Sequence, residues 1–182
     1  MTKNGYEKPI FRQAGDTGII VEFGDGIDPE VNAKVRAMAR SLKTGLPDGI
    51  VEIIPTYRSL LFIYDPSLIW YDKLIRFIEQ AGTGMDAGEE TGADVVEIPV
   101  CYGGELGPDI QNVCQSSGLD EQEVIRVHSV PDYLIYMVGF TPGFPFLGGL
   151  DDRLTTPRLE TPRTLVPEGS VGIANNQTGM YP

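Results

Sequence analysis

Residues 139–150 hold the densest unusual stretch of the chain, Gly139-Phe140-Thr141-Pro142-Gly143-Phe144-Pro145-Phe146-Leu147-Gly148-Gly149-Leu150. Pro142-Gly143 has the sequence of a type II turn, in which proline fixes one φ and glycine takes the positive one. Glycines such as Gly139 and Gly143 would let backbone N–H groups approach a ligand closely, and Phe140, Phe144 and Phe146 would form an apolar wall beside them. A pocket rim fits this pattern, and so does an aromatic-anchored loop that only closes a β-barrel. Downstream stand two Pro-Arg pairs, Pro157-Arg158 and Pro162-Arg163. Proline holds the backbone extended, and each guanidinium presents a planar donor fork suited to a carboxylate or phosphate. Ion pairing within the chain, to Asp151, Asp152 or Glu160, is the alternative use of either arginine.

His128 is the only histidine. Any imidazole acid–base step must therefore use it, although a histidine at a helix end also serves as a C-terminal cap. Ser129 follows it in sequence, which does not by itself create a nucleophile–base pair. Asn175-Asn176-Gln177-Thr178-Gly179 supplies amide donors and acceptors that could orient a ligand or only satisfy a loop, and residues 166–171 read as a hairpin turn. Cys101 and Cys114 lack CxxC spacing and cationic sequence neighbours, so they read as small core residues, and one histidine with two cysteines cannot complete the usual zinc sets. The phosphate loop, the dinucleotide fingerprint, the nucleophile elbow and the HExxH motif are all missing from these 182 residues.

Composition narrows the classes further. The 19.9 kDa chain carries 14 Lys and Arg against 26 Asp and Glu, a formal charge of −12, which disfavours nucleic acid and anionic membrane as partners. No stretch reaches the ~20 apolar residues of a membrane span, and the start has no apolar run of the secretory type. The expectation is a cytoplasmic protein with reduced thiols.

The elements that must position these residues fall into two halves. Residues 18–23 read as a strand. Asp28 then caps a helix with Pro29 at its first position, and Val31, Val35, Met38 and Leu42 lie along one face. Residues 50–54 and 60–64 read as paired strands. A second helix follows, capped by Ser67 and carrying Leu68, Tyr71, Leu74, Ile75, Phe77 and Ile78, with Trp70 packed at its edge. Strand–helix–strand–strand–helix is most of a ferredoxin-like unit, and residues 95–100 supply its last strand or lead onward. The domains are expected at 1–81 and 95–182, joined by a glycine-rich, acidic linker at 82–94. In the second half, residues 108–114 and 120–127 read as short helices, the latter capped by Asp120. Residues 133–138, 164–166 and 171–174 read as short strands of a barrel or sandwich.

These motifs in combination resemble one family over nearly the whole chain. They are Ile98-Pro99-Val100-Cys101-Tyr102-Gly103-Gly104, Gly107-Pro108-Asp109, His128, the 139–150 stretch, both Pro-Arg pairs, Val166-Pro167-Glu168-Gly169-Ser170-Val171, and Gln177-Thr178-Gly179 before Tyr181-Pro182. In the first half, Gly15-Asp16, residues 21–24, and Val51-Glu52 through the Pro55-Thr56-Tyr57-Arg58 segment fit as well. The chain is similar to the family of B-type 5-oxoprolinase subunits, also called the kinase A inhibitor or allophanate hydrolase subunit 1 family, with carboxyltransferase-type domains.

The resemblance implies an α+β protein: a ferredoxin-like N-terminal domain followed by a cyclophilin-like β-barrel. It implies a sister subunit of related barrel fold and a third subunit, which together open 5-oxoproline to glutamate with ATP, although no standard nucleotide motif is present here. Related paired domains form the carboxyltransferase part of biotin-dependent urea amidolyase. Another member inhibits a sporulation histidine kinase, so the second function expected is a regulatory module whose phenylalanine-rich loop inserts into a kinase. The family continues past Tyr181-Pro182 into a Pro-Gly-Gly-Trp segment, so the barrel is expected to lack its closing strands. On the enzyme reading, His128, Arg158 and Arg163 are the expected catalytic residues. Gly139, Phe140, Pro142, Gly143, Phe144, Gln177 and Tyr181 are the expected substrate-binding ones.

Overall fold

The structure, a computed structural model, describes residues 4–83 and 94–182. It is a mixed α/β protein with two antiparallel four-stranded sheets and four α-helices. The chain divides into two compact units, Met1–Thr91 and Gly92–Pro182. Most of the linker expected at 82–94 lies outside the described residues.

In the first unit, strands β1 (Gly5–Gln13), β2 (Gly18–Gly24), β3 (Ile50–Pro55) and β4 (Ser59–Tyr64) form a sheet in the order β1-β2-β4-β3. Helix α1 (Pro29–Ser41) connects β2 to β3, and α2 (Tyr71–Ala81) follows β4. Alternation along β2 and β4 sends Ile19, Val21, Phe23, Leu60, Phe62 and Tyr64 into one core with Val31, Val35 and Met38 of α1, Leu42 just after it, and Leu74 and Ile78 of α2. The Asp28 carboxylate caps α1, accepting from the N–H groups of Glu30 at 2.8 Å and Val31 at 3.3 Å. The start of α2 differs from the sequence expectation. Asp65 Oδ1 takes both the N–H and the hydroxyl of Ser67, at 2.8 and 2.7 Å, in a local turn. Ser67 therefore cannot cap, and the helix opens after Trp70 with no side-chain cap. Ile69 is buried in place of Leu68, and Trp70 is 80% exposed, not packed at an edge.

The edge beside β2 is held by β1, ahead of the strand–helix–strand–strand–helix series. Residues 95–100 form no strand.

In the second unit, α3 (Ile110–Ser117) and α4 (Glu121–Ser129) precede β5 (Leu134–Val138), β6 (Pro145–Gly148), β7 (Val171–Ala174) and β8 (Gln177–Met180), ordered β5-β6-β8-β7. Gly118, with φ 70°, ends α3, and the Asp120 carboxylate accepts from the Glu123 N–H at 2.8 Å to start α4. Val124, Val127, Leu150 and Leu154 make the fully buried core. The strand expected at 164–166 is absent. From 157 to 169 every residue is exposed and without strand pairing, whereas β6 and β8 are strands within stretches that read as loops.

No helix among the described residues is long and apolar enough to cross a membrane. No group of three or more His, Cys, Asp or Glu among them could hold a metal ion.

Candidate functional site

The 139–149 stretch is a turn that leads from β5 into β6. Phe144 N–H donates to the Thr141 carbonyl at 3.1 Å, and Gly143 has φ 88°, the type II turn that Pro142-Gly143 dictates. Thr141 N–H donates to the Gly139 carbonyl at 2.8 Å, closing a γ-turn with Phe140 at φ 66°. A bulky residue at positive φ is a strained backbone site, of the kind that clusters at binding positions. Phe140 is also 78% exposed, so the strain presents an aromatic ring to solvent.

Phe144 is the hub of the loop. Its ring makes edge-on contacts with Phe140, Phe146 and Tyr181 at centroid separations of 5.6, 5.0 and 5.1 Å. Backbone bonds from Tyr181 N–H to the Ser170 carbonyl, 2.9 Å, and from Gly169 N–H to the Tyr181 carbonyl, 2.8 Å, fix the tyrosine end. Gly139, Phe140, Pro142, Gly143, Phe144 and Tyr181 thus share one loop cluster. Gln177 begins β8 opposite Ala174, four residues before Tyr181.

The three expected catalytic residues lie in three different settings. His128, in the last turn of α4, is buried. Its Nδ1 lies 2.6 Å from the Tyr102 hydroxyl and its Nε2 3.0 Å from Thr178 Oγ1, while Tyr133 Oη donates to its backbone carbonyl at 2.7 Å. Both ring nitrogens are therefore used inside the unit, and the imidazole is not an exposed helix cap. Burial holds the imidazole below its ordinary value. Burial likewise raises the Tyr102 phenol and pushes that of Tyr133 up to about 12, with Tyr102 and Asp151 adding to the latter.

Arg163 forks onto the Asp109 carboxylate, with Nη2 2.7 Å from Oδ1 and Nη1 on Oδ2. The arginine's hydrogen bond holds that carboxyl below its usual range. The pair ties the exposed 157–169 segment to the start of α3; the partner is Asp109, not Asp151, Asp152 or Glu160. Arg153 takes Asp151 instead, through Nε at 3.0 Å and Nη2 at 2.7 Å, and its hydrogen bonds hold Asp151 down to about 2. Arg126 forks onto Glu123 at 2.7 and 2.5 Å. The second unit has four arginines and no lysine. Arg158, exposed, is the one without an ion pair among the described residues.

Sequence reasoning did not single out Thr178 or Tyr102 as partners of His128, nor buried Asn32. The Asn32 amide donates to the Thr56 and Tyr57 carbonyls at 3.3 and 3.0 Å and so holds the Pro55–Arg58 turn. Only the fold makes these pairs neighbours, since they lie 24 to 50 residues apart. Two clefts, of about 350 and 680 Å³, flank α2 in the first unit; Asp72 and Arg76 line both. Neither is at the aromatic loop.

An antiparallel-sheet unit ahead of a second unit built on a Gly-Phe-Thr-Pro-Gly-Phe turn defines a carboxyltransferase-type chain. Residues 9–182 match the family described as carboxyltransferase domain, subdomain C and D, and the chain belongs to that family. It is 39% identical to the B-type subunit of 5-oxoprolinase from Bacillus subtilis (strain 168) over 180 residues, covering 93% of this chain and 75% of that protein. Among solved structures it is similar to TTHA0988, with a TM-score of 0.77 and 35% identity over 94% of the chain. It spans 32% of that longer protein, about a third. The K. lactis urea amidolyase, at 20% identity and a TM-score of 0.70 over 95% of this chain and 12% of its own, shares the fold.

Proposed function

We propose that the chain is a non-autonomous subunit of an ATP-dependent 5-oxoprolinase, which opens 5-oxoproline to glutamate. The observation that carries this reading is the 39% identity to the B-type 5-oxoprolinase subunit across 93% of the chain. On this reading the first unit is ferredoxin-like. Its sheet order β1-β2-β4-β3 supports the assignment, with the N-terminal strand β1 in the edge place beside β2 that the last strand of a ferredoxin-like unit takes. The second unit is a cyclophilin-like barrel. The protein works in the cytoplasm with a sister barrel subunit and a third subunit, and ATP is used by the complex, not held by a standard motif of this chain.

Within the second unit, the 139–149 loop with Tyr181 frames the small cyclic amide, and Arg158 supplies the donor fork for its carboxylate. Arg158 suits that role because it is exposed and makes no ion pair among the described residues, whereas Arg163 is engaged by Asp109. A fixed cation at a developing oxyanion or carboxylate is among the larger contributions a protein makes to such a reaction.

Co-expression with the candidate sister and third subunits, followed by an assay of ATP-dependent glutamate release, tests the reading. The assembled complex should turn over 5-oxoproline. Arg158→Ala should lower turnover on the order of a hundredfold while leaving thermal stability unchanged. Arg163→Ala should lower stability slightly, by about 1 kcal/mol or less, through loss of the exposed Asp109 pair. A fully assembled complex without activity sinks the proposal.

A further inference from the structure

The buried titratable group that the loop reading does not use is His128, and the carbonyl beyond Thr178 favours one placement of its hydrogens. Thr178 Oγ1 is placed to donate to the Gly172 carbonyl at 3.2 Å, and a carbonyl can only accept. With the single hydroxyl hydrogen on that carbonyl, Oγ1 faces His128 Nε2, 3.0 Å away, as an acceptor, and Nε2 carries a hydrogen. In a neutral ring Nδ1 is then the acceptor, and the Tyr102 hydroxyl donates to it at 2.6 Å. Donation runs in one direction from Tyr102 through His128 and Thr178 to Gly172.

This relay ends on the strand that seats the aromatic loop. Gly179 follows Thr178 in β8 and pairs with Phe146. A Cβ at Gly179 would lie 2.7 Å from Phe144 Cζ, so the ring of Phe144 rests directly on the backbone of that strand. The position of β8 therefore sets Phe144, and through it Phe140 and Tyr181.

We infer that Tyr102, His128 and Thr178 are positioning residues: as a neutral, Nε2-protonated relay they hold β8, and with it the aromatic wall of the 139–149 loop, without touching substrate. The inference rests on the reading of that loop as the substrate frame.

Protonation would undo the arrangement. A hydrogen on Nδ1 displaces the one Tyr102 donates and leaves a buried charge. The groups facing the ring are the Tyr102 and Tyr133 phenols and the Thr178 hydroxyl, and no carboxylate among the described residues lies within ion-pair distance. The folded imidazole is held below its ordinary 6.5, so the relay's contribution is complete above pH 6.5 and is lost as pH falls through the folded value.

Because His128 is the only histidine, the ¹⁵N imidazole spectrum of the whole chain contains a single ring. At pH 7 it should show a protonated Nε2 and a bare Nδ1, and the ring should titrate below 6.5. Thr178→Val should mix the tautomers and shift the ring signals of Phe144 and Tyr181, and Thr178→Ser should restore both. In the assembled enzyme Thr178→Val should lower kcat by about tenfold or more with little change in KM, as misplacement of a substrate-framing loop does. A wild-type ring protonated at Nδ1, or one titrating at or above 6.5, overturns the inference without any variant. So do unshifted Phe144 and Tyr181 signals in folded Thr178→Val protein. If Thr178→Val does not fold, the wild-type and Thr178→Ser spectra decide. A complex without 5-oxoprolinase activity removes the functional reading alone, because the ring and loop signals still report on the relay.

Discussion

Gly148 and Gly179 are required for space, and neither needs the positive φ that glycine permits. A Cβ on Gly148 would fall 1.7 Å from Cε2 of Tyr136, and one on Gly179 would fall 2.7 Å from Cζ of Phe144. Phe140, Phe146 and Tyr181 also contact the Phe144 ring edge-on, which limits its retreat. Gly179→Ala should therefore cost about 1–3 kcal/mol, the usual penalty for overpacking a fixed contact. Gly172, its partner across the β7–β8 pair, is a matched control: the nearest atom to its Cβ would be Tyr181 Cε2 at 3.9 Å, an ordinary contact. Urea denaturation of the two alanine variants tests this. A lower midpoint for Gly179→Ala alone is expected, and equal midpoints would mean that the Phe144 ring can step aside.

At the scale of elements, Asn32 ties a helix to a turn. Its position in α1 is fully buried, and its amide reaches across to the Thr56 and Tyr57 carbonyls of the β3–β4 connection. That turn closes on itself through Thr56 N–H to the Ser59 carbonyl, 2.8 Å, and Ser59 N–H to Thr56 Oγ1, 3.1 Å. Asn32→Leu keeps the branched shape with a somewhat larger volume and removes the donor, which should cost about 1–3 kcal/mol for the carbonyls left without it. Faster hydrogen exchange at the Ser59 amide should accompany the loss, and an unchanged exchange rate would show that the turn stands without α1.

Elements of this kind were legible in sequence where local chemistry decides them. Asp28-Pro29 and the stripe of α1, the Asp120 cap, the Pro142-Gly143 turn and strand β7 all stand where cap, spacing and turn residues put them. The failures have equally local causes. β1 is an edge strand whose residues 7–10 are all exposed, so no alternation marks it. β6 and β8 are four residues each and lack the alternating β-branched residues, Val171 and Ile173, that mark the equally short β7. At the candidate site, the loop from Gly139 to Phe144 was readable because a turn is a local object. The His128–Thr178 and Arg163–Asp109 pairs were not, since they join residues 50 and 54 apart.

Over the whole molecule the two units differ in how much apolar surface they bury. Thirteen described hydrophobic residues make the buried core of the first unit, from Ile19 on β2 to Ile78 on α2. Four make that of the second, and Ile135, Val138, Phe140, Leu159 and Leu165 of that unit remain exposed. Burial of apolar area is the main favourable term in folding, so local stability follows it. Both units carry surface arginine–carboxylate pairs, and exposed pairs of this kind contribute little each, so they do not offset the smaller core of the second. Native-state hydrogen exchange in increasing urea should thus show β6 and β8 amides losing protection at a lower concentration than those of β2 and β4. A common denaturant dependence for all four strands would mean that the units unfold as one cooperative body, with the larger core setting the stability of both.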